Sequence, residues 1–365
     1  MRNQKKQAGG SPKPVNKIRV GISIGDYNGV GLEVVIKTFL DPRMLEICTP
    51  IVYGSAELAK QYRKALNIQD FSFNLIPDAD KANHKKANLV EVWKGTEEIQ
   101  FGESTPDAGK RSFESLDAAT KDLASNKIDV LVTAPINKNN IQSDEFDFPG
   151  HTEYLADYAN VESPLMILTH DSLRVGTATG HIPIKDVAEN LYHDELVTKL
   201  EVFEKSLRQD FGVTKPKIAV LGLNPHNGDN GTIGDEEREI IIPAIEDAKN
   251  KGLLVFGPYA ADGFFGSPTY KKFDGILSMY HDQGLTPFKT ISFDKGINFT
   301  AGLPIVRTSP DHGTGYDIAG KGEASERSFR NAIYSAIDIY NNRLEYKELS
   351  KDPLKIKKGK IVRDS

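Results

Sequence analysis

The chain has 365 residues, a formal net charge of −5, 39% hydrophobic residues and 27% charged residues. This length predicts two lobes with a sizeable core, and the ordinary composition excludes disorder over most of the chain. The small acidic excess excludes a dedicated nucleic-acid binder, which would carry a basic surplus.

Cysteine usage and hydropathy exclude further classes of protein. Cys48 is the one cysteine, so an internal disulfide is excluded and a buried, unreactive thiol is expected. No run of about 18 apolar residues is present, which excludes a membrane-spanning helix. Residues 1–16 are basic but lack the apolar core of a secretory signal. They are expected to be a flexible basic tail, and the cytoplasm is the expected compartment.

The first structural signal is a strand, a glycine-rich turn and a helix. Alternating residues over 17–23 lead into Gly25, Gly29 and Gly31, and helical spacing follows over 32–40. The glycine spacing is not that of a dinucleotide fingerprint, and no Lys-Ser or Lys-Thr pair follows to make a P-loop. The sequence therefore predicts a tight structural turn.

Strand and helix signals then alternate, which predicts an α/β fold with buried parallel strands. Strands are expected at 50–53, 71–76, 88–92, 128–133, 165–168, 173–177, 217–223, 253–256, 276–279 and 305–306. Helices are expected at 55–66, 113–124, 154–158, 185–191, 193–211, 235–251 and 324–344. Residues 351–365 are expected to form a second basic tail.

Three histidines share one placement, because each closely follows a predicted strand: His181, His226 and His281. In α/β folds ligands gather at the ends of strands. Neutral imidazoles from three strands suit Zn, Co or a similar divalent ion. The chain has no close pair such as H-x-x-x-H, so spacing alone is a weak metal signal and a structural role for each histidine stays open.

Polar groups suited to anions occur in two other stretches. His151 and Thr152 stand at a predicted helix start, where free backbone N–H groups favour an anion, although a surface histidine and a capping threonine are the alternatives. Lys289, Asn298 and Arg307 succeed one another at the ends of apolar runs and offer a point charge, an amide and a planar fork. Together they predict a clamp for a small phosphorylated acid. Lys138 is expected to be a solvated loop residue.

Residues 276–321 also carry a resemblance to a known family. The stretch contains MYHDQG from Met279, LPIVR from Leu303 and DHGTG from Asp311, and related motifs occur earlier as GHTE, TGHIP and GLNPH. In these motifs the chain resembles the 4-phosphohydroxy-L-threonine dehydrogenase family of the vitamin B6 pathway. The chain departs from the family pattern at Tyr27 and Asn28, where the family usually has Pro-Ala, and at Leu32, where it has Pro.

The resemblance implies a fold similar to isocitrate and isopropylmalate dehydrogenases, with two α/β lobes around a cleft and no Rossmann fingerprint. The expected first lobe is discontinuous, residues 17–140 plus 290–350, and residues 141–289 are expected to form a second lobe with the metal site. Relatives of this kind are homodimers, and the resemblance implies an active site shared between two subunits.

The resemblance also assigns roles to residues. The divalent metal ion, Zn, Mg or Co, is expected on His181, His226 and His281. Substrate is expected on the clamp residues, His151, Thr152, Lys289, Asn298 and Arg307. NAD or NADP is expected against the loop of Gly313, Thr314 and Asp317. Asp262, Asp282 and a lysine are the candidates for the catalytic base, and Asp282 is the candidate for orienting a metal-bound imidazole.

The implied reaction is NAD-dependent oxidation of 4-phosphohydroxy-L-threonine at C3, followed by decarboxylation to 3-amino-2-oxopropyl phosphate, with the metal ion as Lewis acid. Relatives that oxidise D-threonate or D-erythronate 4-phosphate share these motifs and remain an alternative. A zinc-dependent hydrolase of a phosphorylated substrate is a less favoured alternative from a different class. A non-catalytic metal-binding scaffold is disfavoured by the clamp beside the histidines.

Overall fold

The computed structural model describes residues 17–95 and 97–352. The basic tail predicted at residues 1–16 lies outside the described residues, and so does the tail predicted at 351–365, except for residues 351 and 352. Twelve strands form one sheet. They are β1 Ile18–Ser23, β2 Cys48–Gly54, β3 Asn74–Ile76, β4 Asn88–Glu91, β5 Val130–Thr133, β6 Leu165–His170, β7 Leu173–Thr177, β8 Lys217–Leu221, β9 Leu254–Tyr259, β10 Gly275–Ser278, β11 Ile297–Ala301 and β12 Arg307–Pro310.

The described residues form ten α-helices in addition to this sheet. They are α1 Gly31–Phe39, α2 Met44–Ile47, α3 Ala56–Ala65, α4 Pro106–Ala124, α5 His151–Tyr158, α6 His193–Gln209, α7 Ile242–Asn250, α8 Ala261–Phe265, α9 His281–Ile291 and α10 Arg327–Leu349. The N-termini of α3 and α4 are capped by the side chains of Ser55 and Thr105, which accept hydrogen bonds from backbone N–H groups. None of the helices in the described ranges combines the length and hydropathy of a bilayer-spanning segment.

The strand order is β3-β4-β2-β1-β5-β12-β11-β6-β7-β10-β8-β9. In this spatial order, the first six strands, β3, β4, β2, β1, β5 and β12, are parallel to one another. The last four, β7, β10, β8 and β9, are also parallel to one another. Between these two halves, β11 is antiparallel to both β12 and β6, and β6 is antiparallel to β7. The central antiparallel strands therefore join two parallel halves that run in opposite directions.

Burial explains why the strand signals were easy to recognise in the sequence. Every residue of β2, β5 and β10 is buried, as expected for parallel strands covered by helices on both faces. The predicted α/β class is confirmed. The division into lobes at residues 140 and 290 stays a prediction.

The helix expected at 235–251 is confirmed, and it includes a π-helical turn, Glu237–Ile241, before α7. Three other local predictions are wrong. Residues 185–191 form two 3₁₀ turns, Ile184–Asp186 and Ala188–Asn190, instead of a helix. Lys289 lies in the last turn of α9 rather than after a strand. Arg307 begins β12, whereas the sequence placed it after the apolar run of residues 305–306.

The glycine-rich turn before α1 is held by close backbone contacts. Gly25 has φ +65°, and a Cβ there would stand 2.1 Å from the carbonyl oxygen of Pro135. The Val30 N–H donates to the carbonyl of Thr314 over 2.8 Å, and the Tyr62 hydroxyl donates to the carbonyl of Tyr27 over 2.8 Å. These contacts give the turn a packing role, in agreement with the sequence. Cys48 is buried, and burial raises the pKa of its thiol to about 12.

Candidate active site

One face of the central strands carries a cavity of about 250 Å³, here called the active-site cavity. It collects the five residues of the predicted clamp and two of the three predicted metal-binding histidines. The charged and polar residues that line it are Lys138, His151, Thr152, Glu153, His181, His281, Lys289, Asn298, Arg307, Ser309, Asp311 and His312. Side chains that are far apart in the sequence therefore meet over β6, β11 and β12.

Arg307 is the most deeply buried cation of this cavity, with 3% of its surface exposed. Its Nε and Nη2 donate to the Thr133 hydroxyl oxygen over 3.1 and 2.7 Å, and Nη1 lies 3.5 Å from the Thr300 hydroxyl oxygen. Burial lowers the pKa of Arg307 to about 10, which the charge of Glu153 opposes. Among the described residues Arg307 makes no ion pair, so an anion entering the cavity would meet an uncompensated positive charge.

His151 and Thr152 occupy the first turn of α5, where Gly150 is the N-cap and supplies no side chain. The Nε2 atom of His151 is buried, and no described residue forms a hydrogen bond with it. Burial, reinforced by the charges of Arg307 and Lys138, holds the pKa of His151 well below its usual value. The Thr152 hydroxyl lies 3.3 Å from that of Thr300. A neutral imidazole and a helix N-terminus can both donate hydrogen bonds to an anion without adding a further full charge.

Lys289 and Asn298 complete the cluster that the sequence predicted. Lys289 Nζ lies 3.1 Å from a carboxylate oxygen of Asp311, and burial raises the pKa of Asp311 despite that lysine. The side-chain oxygen of Asn298 is buried and has no hydrogen-bond partner among the described residues. An unsatisfied buried amide oxygen is costly, so it indicates a group that receives a donor from a bound molecule.

His181 and His281 lie next to each other, with ring centroids 5.8 Å apart. His281 Nδ1 is 2.7 Å from Asp282, which agrees with Asp282 orienting that ring and leaves Nε2 for another partner. His181 lies 3.8 Å from Glu153 and 3.1 Å from Lys138 Nζ. Burial would raise the pKa of Glu153, but the nearby His181 and Lys138 lower it.

His226 does not join this pair. It follows β8, as His181 and His281 follow the neighbouring strands β7 and β10, but it is exposed and begins a run of six residues with positive φ that ends at Gly231. Four of the six are not glycine, and each such residue costs about 1–2 kcal/mol in this conformation. Across residues 17–95 and 97–352, no three side chains of the metal-binding types converge. One chain therefore offers two imidazoles, which is half of a tetrahedral site.

A second cavity of about 480 Å³ opens beside the first, here called the cofactor cavity. The two share Lys289, Asp311, His312 and Gly313. Gly313 has open space where a side chain would stand, and Gly315 lines the same wall. These features fit a nicotinamide cofactor that reaches the active-site cavity. Neither Thr314 nor Asp317 lines the cavity, and the contact of Thr314 is the backbone bond to Val30.

Comparisons with known proteins agree with this geometry. The family described as "Pyridoxal phosphate biosynthetic protein PdxA" matches residues 46–336. A protein of Bacteroides thetaiotaomicron, named 4-hydroxythreonine-4-phosphate dehydrogenase, is 52% identical over 93% of this chain and 93% of its own length. The chain belongs to the PdxA family. The family predicted from the motifs is thereby confirmed, and so is the expectation of an oxidoreductase.

One solved structure and one further protein sequence are also similar to this PdxA-family chain. A crystal structure of 4-hydroxythreonine-4-phosphate dehydrogenase from Klebsiella pneumoniae is 31% identical, covers 89% of this chain and all of its own, and has a TM-score of 0.76. A protein of Oceanobacillus iheyensis, provisionally named D-threonate 4-phosphate dehydrogenase, is 37% identical over 90% of this chain and 98% of its own length. Both names correspond to activities expected from the sequence.

Sequence reasoning missed several residues of this PdxA-family site. Lys138 is an exposed residue of a turn, as expected, but it also lines the cavity, and its Nζ lies 3.1 Å from His181 Nε2. Thr133 fixes Arg307, and His312 stands where the two cavities meet with its Nε2 buried and unpartnered. Asp262, in contrast, is exposed on α8 and lines neither cavity. The one sequence signal for Thr133 was its position at the end of the strand predicted at 128–133.

Proposed function

We propose that this chain oxidises 4-phosphohydroxy-L-threonine at C3 with NAD or NADP and that the product loses CO₂ to give 3-amino-2-oxopropyl phosphate, in pyridoxal 5′-phosphate biosynthesis. The observation that carries the proposal is Arg307, a buried cation without an ion-pair partner among the described residues. A phosphate group would neutralise it and accept parallel hydrogen bonds. The names of the relatives support this choice of substrate. A biosynthetic enzyme that draws on the nicotinamide pool would work in the cytoplasm.

The roles of the clamp follow from its geometry. Arg307 and the first turn of α5 would bind the phosphate, and Lys289 would add a second positive charge from α9. Asn298 would accept a hydrogen bond from the amino or hydroxyl group, since its buried side-chain oxygen lacks a donor. These contacts would place C3 toward the cofactor cavity, whose shared wall contains His312 and Gly313.

The proposed reaction has two parts. The C3 hydrogen leaves as hydride to the nicotinamide ring, and the hydroxyl proton leaves to a base. The C1 carboxylate of the resulting 3-keto acid then leaves as CO₂, and C2 takes up a proton. Lys138 replaces Asp262 as the candidate for the hydroxyl proton because it lines the cavity, and Asp282 is retained as the residue that orients His281. A divalent ion such as Zn, Mg or Co would supply Lewis-acid chemistry at the hydroxyl.

We also propose that the working unit is a homodimer in which His226 completes the site of its partner. Two observations support this arrangement. His226 lies apart from His181 and His281 within one chain, and it begins a run of costly positive-φ residues. Apolar side chains are also exposed beside these loops: Ile182, Ile184, which is 75% exposed, and Ile233.

A spectrophotometric assay tests the activity. Full-length protein is mixed with divalent metal, NAD or NADP, and each candidate acid, and reduced nicotinamide is followed by absorbance. The proposal expects the highest kcat/KM with 4-phosphohydroxy-L-threonine. A higher kcat/KM with D-threonate or D-erythronate 4-phosphate would establish the alternative that the Oceanobacillus relative's name favours. Phosphate release without nicotinamide reduction would establish the hydrolase.

A complementation experiment tests the shared site. Because His181 and His281 lie in the same cavity, the informative pair is His226→Ala mixed with His281→Ala after gentle dissociation. Each hybrid then contains one site with all three histidines, so part of the activity should return. A matched mixture of His181→Ala with His281→Ala should recover nothing, because one histidine is missing from every site. Recovery in the second mixture but not the first would overturn the proposed arrangement.

A further inference from the structure

The reverse face of the central strands carries another cavity, of about 390 Å³, here called the reverse cavity. Side chains alternate between the two faces of a strand. Leu168 of β6 and Asn298 of β11 line the active-site cavity, whereas their neighbours Thr169 and Ile297 line the reverse cavity. One layer of strands thus separates the two cavities, and nothing in the proposed dehydrogenase reaction uses the reverse one.

Arg174 of β7 is the main cation of the reverse cavity. Its guanidinium stacks on Phe211, with 4.6 Å from Cζ to the ring centroid. Both of its hydrogen bonds leave from Nη1, to the carbonyls of Ser172 and Asp274 over 3.1 and 3.3 Å. Nε is buried and has no partner among the described residues. The edge formed by Nε and Nη2 is therefore left for a ligand, and this edge can hold an oxyanion through two parallel hydrogen bonds.

The other charged groups of the cavity determine what it would accept. Asp210 is neutralised, because its carboxylate bonds Arg343 Nε over 2.6 Å and the Ser206 hydroxyl over 2.7 Å. His170 lies 3.4 Å from Asp171, which is largely exposed. Lys295 and Asp338 line the same cavity, and neither forms an ion pair within the described ranges.

Arg174, Lys295 and Asp338 thus line one space without an ion-pair partner among the described residues, with Lys295 and Asp338 on its exposed side, and Asp171 adds a largely exposed carboxylate. Arg174 and Lys295 would bind an oxyanion, and Asp338 would bind a hydrogen-bond donor elsewhere on the same molecule. A bare inorganic anion would satisfy only the first part of this arrangement. A small molecule that carries both groups would satisfy all three residues.

We propose that the reverse cavity is a second ligand site, which binds a small phosphorylated amine through Arg174, Lys295 and Asp338. Inorganic phosphate has the same oxyanion chemistry but no amine. Comparing the binding of inorganic phosphate with that of a phosphorylated amine therefore shows whether the amine is recognised. The site is distinct from the proposed active site because no charged residue is common to the two cavities.

Isothermal titration of the full-length protein with phosphoethanolamine tests this proposal. We expect two binding events per chain in the wild type. Arg307→Met should remove the event in the active-site cavity, and Arg174→Met should weaken the other by at least about 10-fold, as expected for loss of a charge-assisted hydrogen bond. Lys347→Gln, on the exposed end of α10, is the matched control and should retain both events.

Arg174 is packed against Phe211, so folding of each variant is checked by circular dichroism. If Arg174→Met does not fold, the test uses Lys295→Glu, which changes an exposed residue. This variant should weaken phosphoethanolamine binding in the reverse cavity by at least about 10-fold. A single binding event that responds to Arg307→Met but not to Lys295→Glu overturns the proposal. Asp338→Asn should reduce the preference for phosphoethanolamine over inorganic phosphate, and an unchanged preference overturns the assignment of the amine.

Discussion

The active-site cavity and the reverse cavity each contain a guanidinium group, on opposite faces of the same strands. Arg307 is fixed by the hydroxyls of Thr133 and Thr300, whereas Arg174 is held by two backbone carbonyls and the ring of Phe211. Three cations, Lys138, Lys289 and Arg307, line the first cavity together with two carboxylates, Glu153 and Asp311. In the reverse cavity the balance is inverted, with two cations, Arg174 and Lys295, and three carboxylates, Asp171, Asp210 and Asp338.

The difference shows that a buried arginine alone does not define a catalytic site. The hydroxyls around Arg307 fix its orientation without neutralising its charge, so the charge remains available to a substrate. Around Arg174 the carboxylates that line the cavity outnumber the cations, which reduces the positive potential. Chemistry is therefore expected on the Arg307 face, and weaker binding on the Arg174 face.

The largest effect is expected from His226→Ala. Turnover should fall at least about 1000-fold, equivalent to about 4 kcal/mol, while the fold is retained, because an exposed loop histidine contributes little packing. Metal content, measured by plasma emission, should fall in parallel. His193→Ala, which changes a histidine at the start of α6, is the control and should keep both. A His226→Ala variant that retains its metal and its activity would rule out the three-histidine site.

Arg307→Lys should lower kcat/KM for the phosphorylated substrate about 100-fold, although the charge is kept. An ammonium group cannot reproduce the planar fork that Thr133 and Thr300 orient, and loss of that geometry is expected to cost about 2–3 kcal/mol. Steady-state kinetics over a range of substrate concentrations gives the result. Unchanged kcat/KM would place Arg307 outside the site and would remove the contrast between the two faces.

On the other face, Asp210→Asn is expected to act on stability rather than catalysis. Asp210 is fully buried and paired with Arg343, so its replacement should lower the free energy of unfolding by about 3 kcal/mol. Urea denaturation measures the change. Glu246→Gln breaks the exposed pair with Lys249 and should cost at most about 1 kcal/mol. Equal losses in the two variants would contradict the assignment of a buried structural ion pair.

The smallest of these effects is expected from Thr133→Val. The substitution keeps the shape of the side chain but removes the oxygen that accepts two hydrogen bonds from Arg307. We expect kcat/KM to fall about 10-fold, or about 1.4 kcal/mol, while the pKa of the guanidinium changes too little to matter near neutral pH. Thr133→Ser retains the oxygen and should recover most of the loss. If Ser is as impaired as Val, orientation by the hydroxyl is not the cause.

Much of the fold could be predicted because its signals are local. Continuous apolar runs identify buried parallel strands, and the structure places strands β2, β5 and β10 where such runs occur. The helix expected at 185–191 failed because its periodicity is short and no cap enforces it: Pro183 precedes two isolated turns, and neither has a capping side chain.

Only those site residues that lie within recognisable sequence motifs could be predicted. The five clamp residues meet in one cavity, as expected. The contact between Thr133 and Arg307 joins positions 174 residues apart, and that between Lys138 and His181 joins positions 43 apart, so neither leaves a pattern in a short window. The position of His226 depends on six successive backbone dihedral angles, which residue types alone do not determine.

The two outermost strands have a consequence for how copies of this chain can associate. β3 has three residues and therefore offers few hydrogen bonds to a further strand. β9 contains Pro258, which has no N–H to donate, and its pairing with β8 is irregular between Ala219 and Leu221. Both are poor templates for another strand. If copies of this chain associate, contacts through side chains and loops are therefore expected, and not continuation of the sheet from one chain into the next.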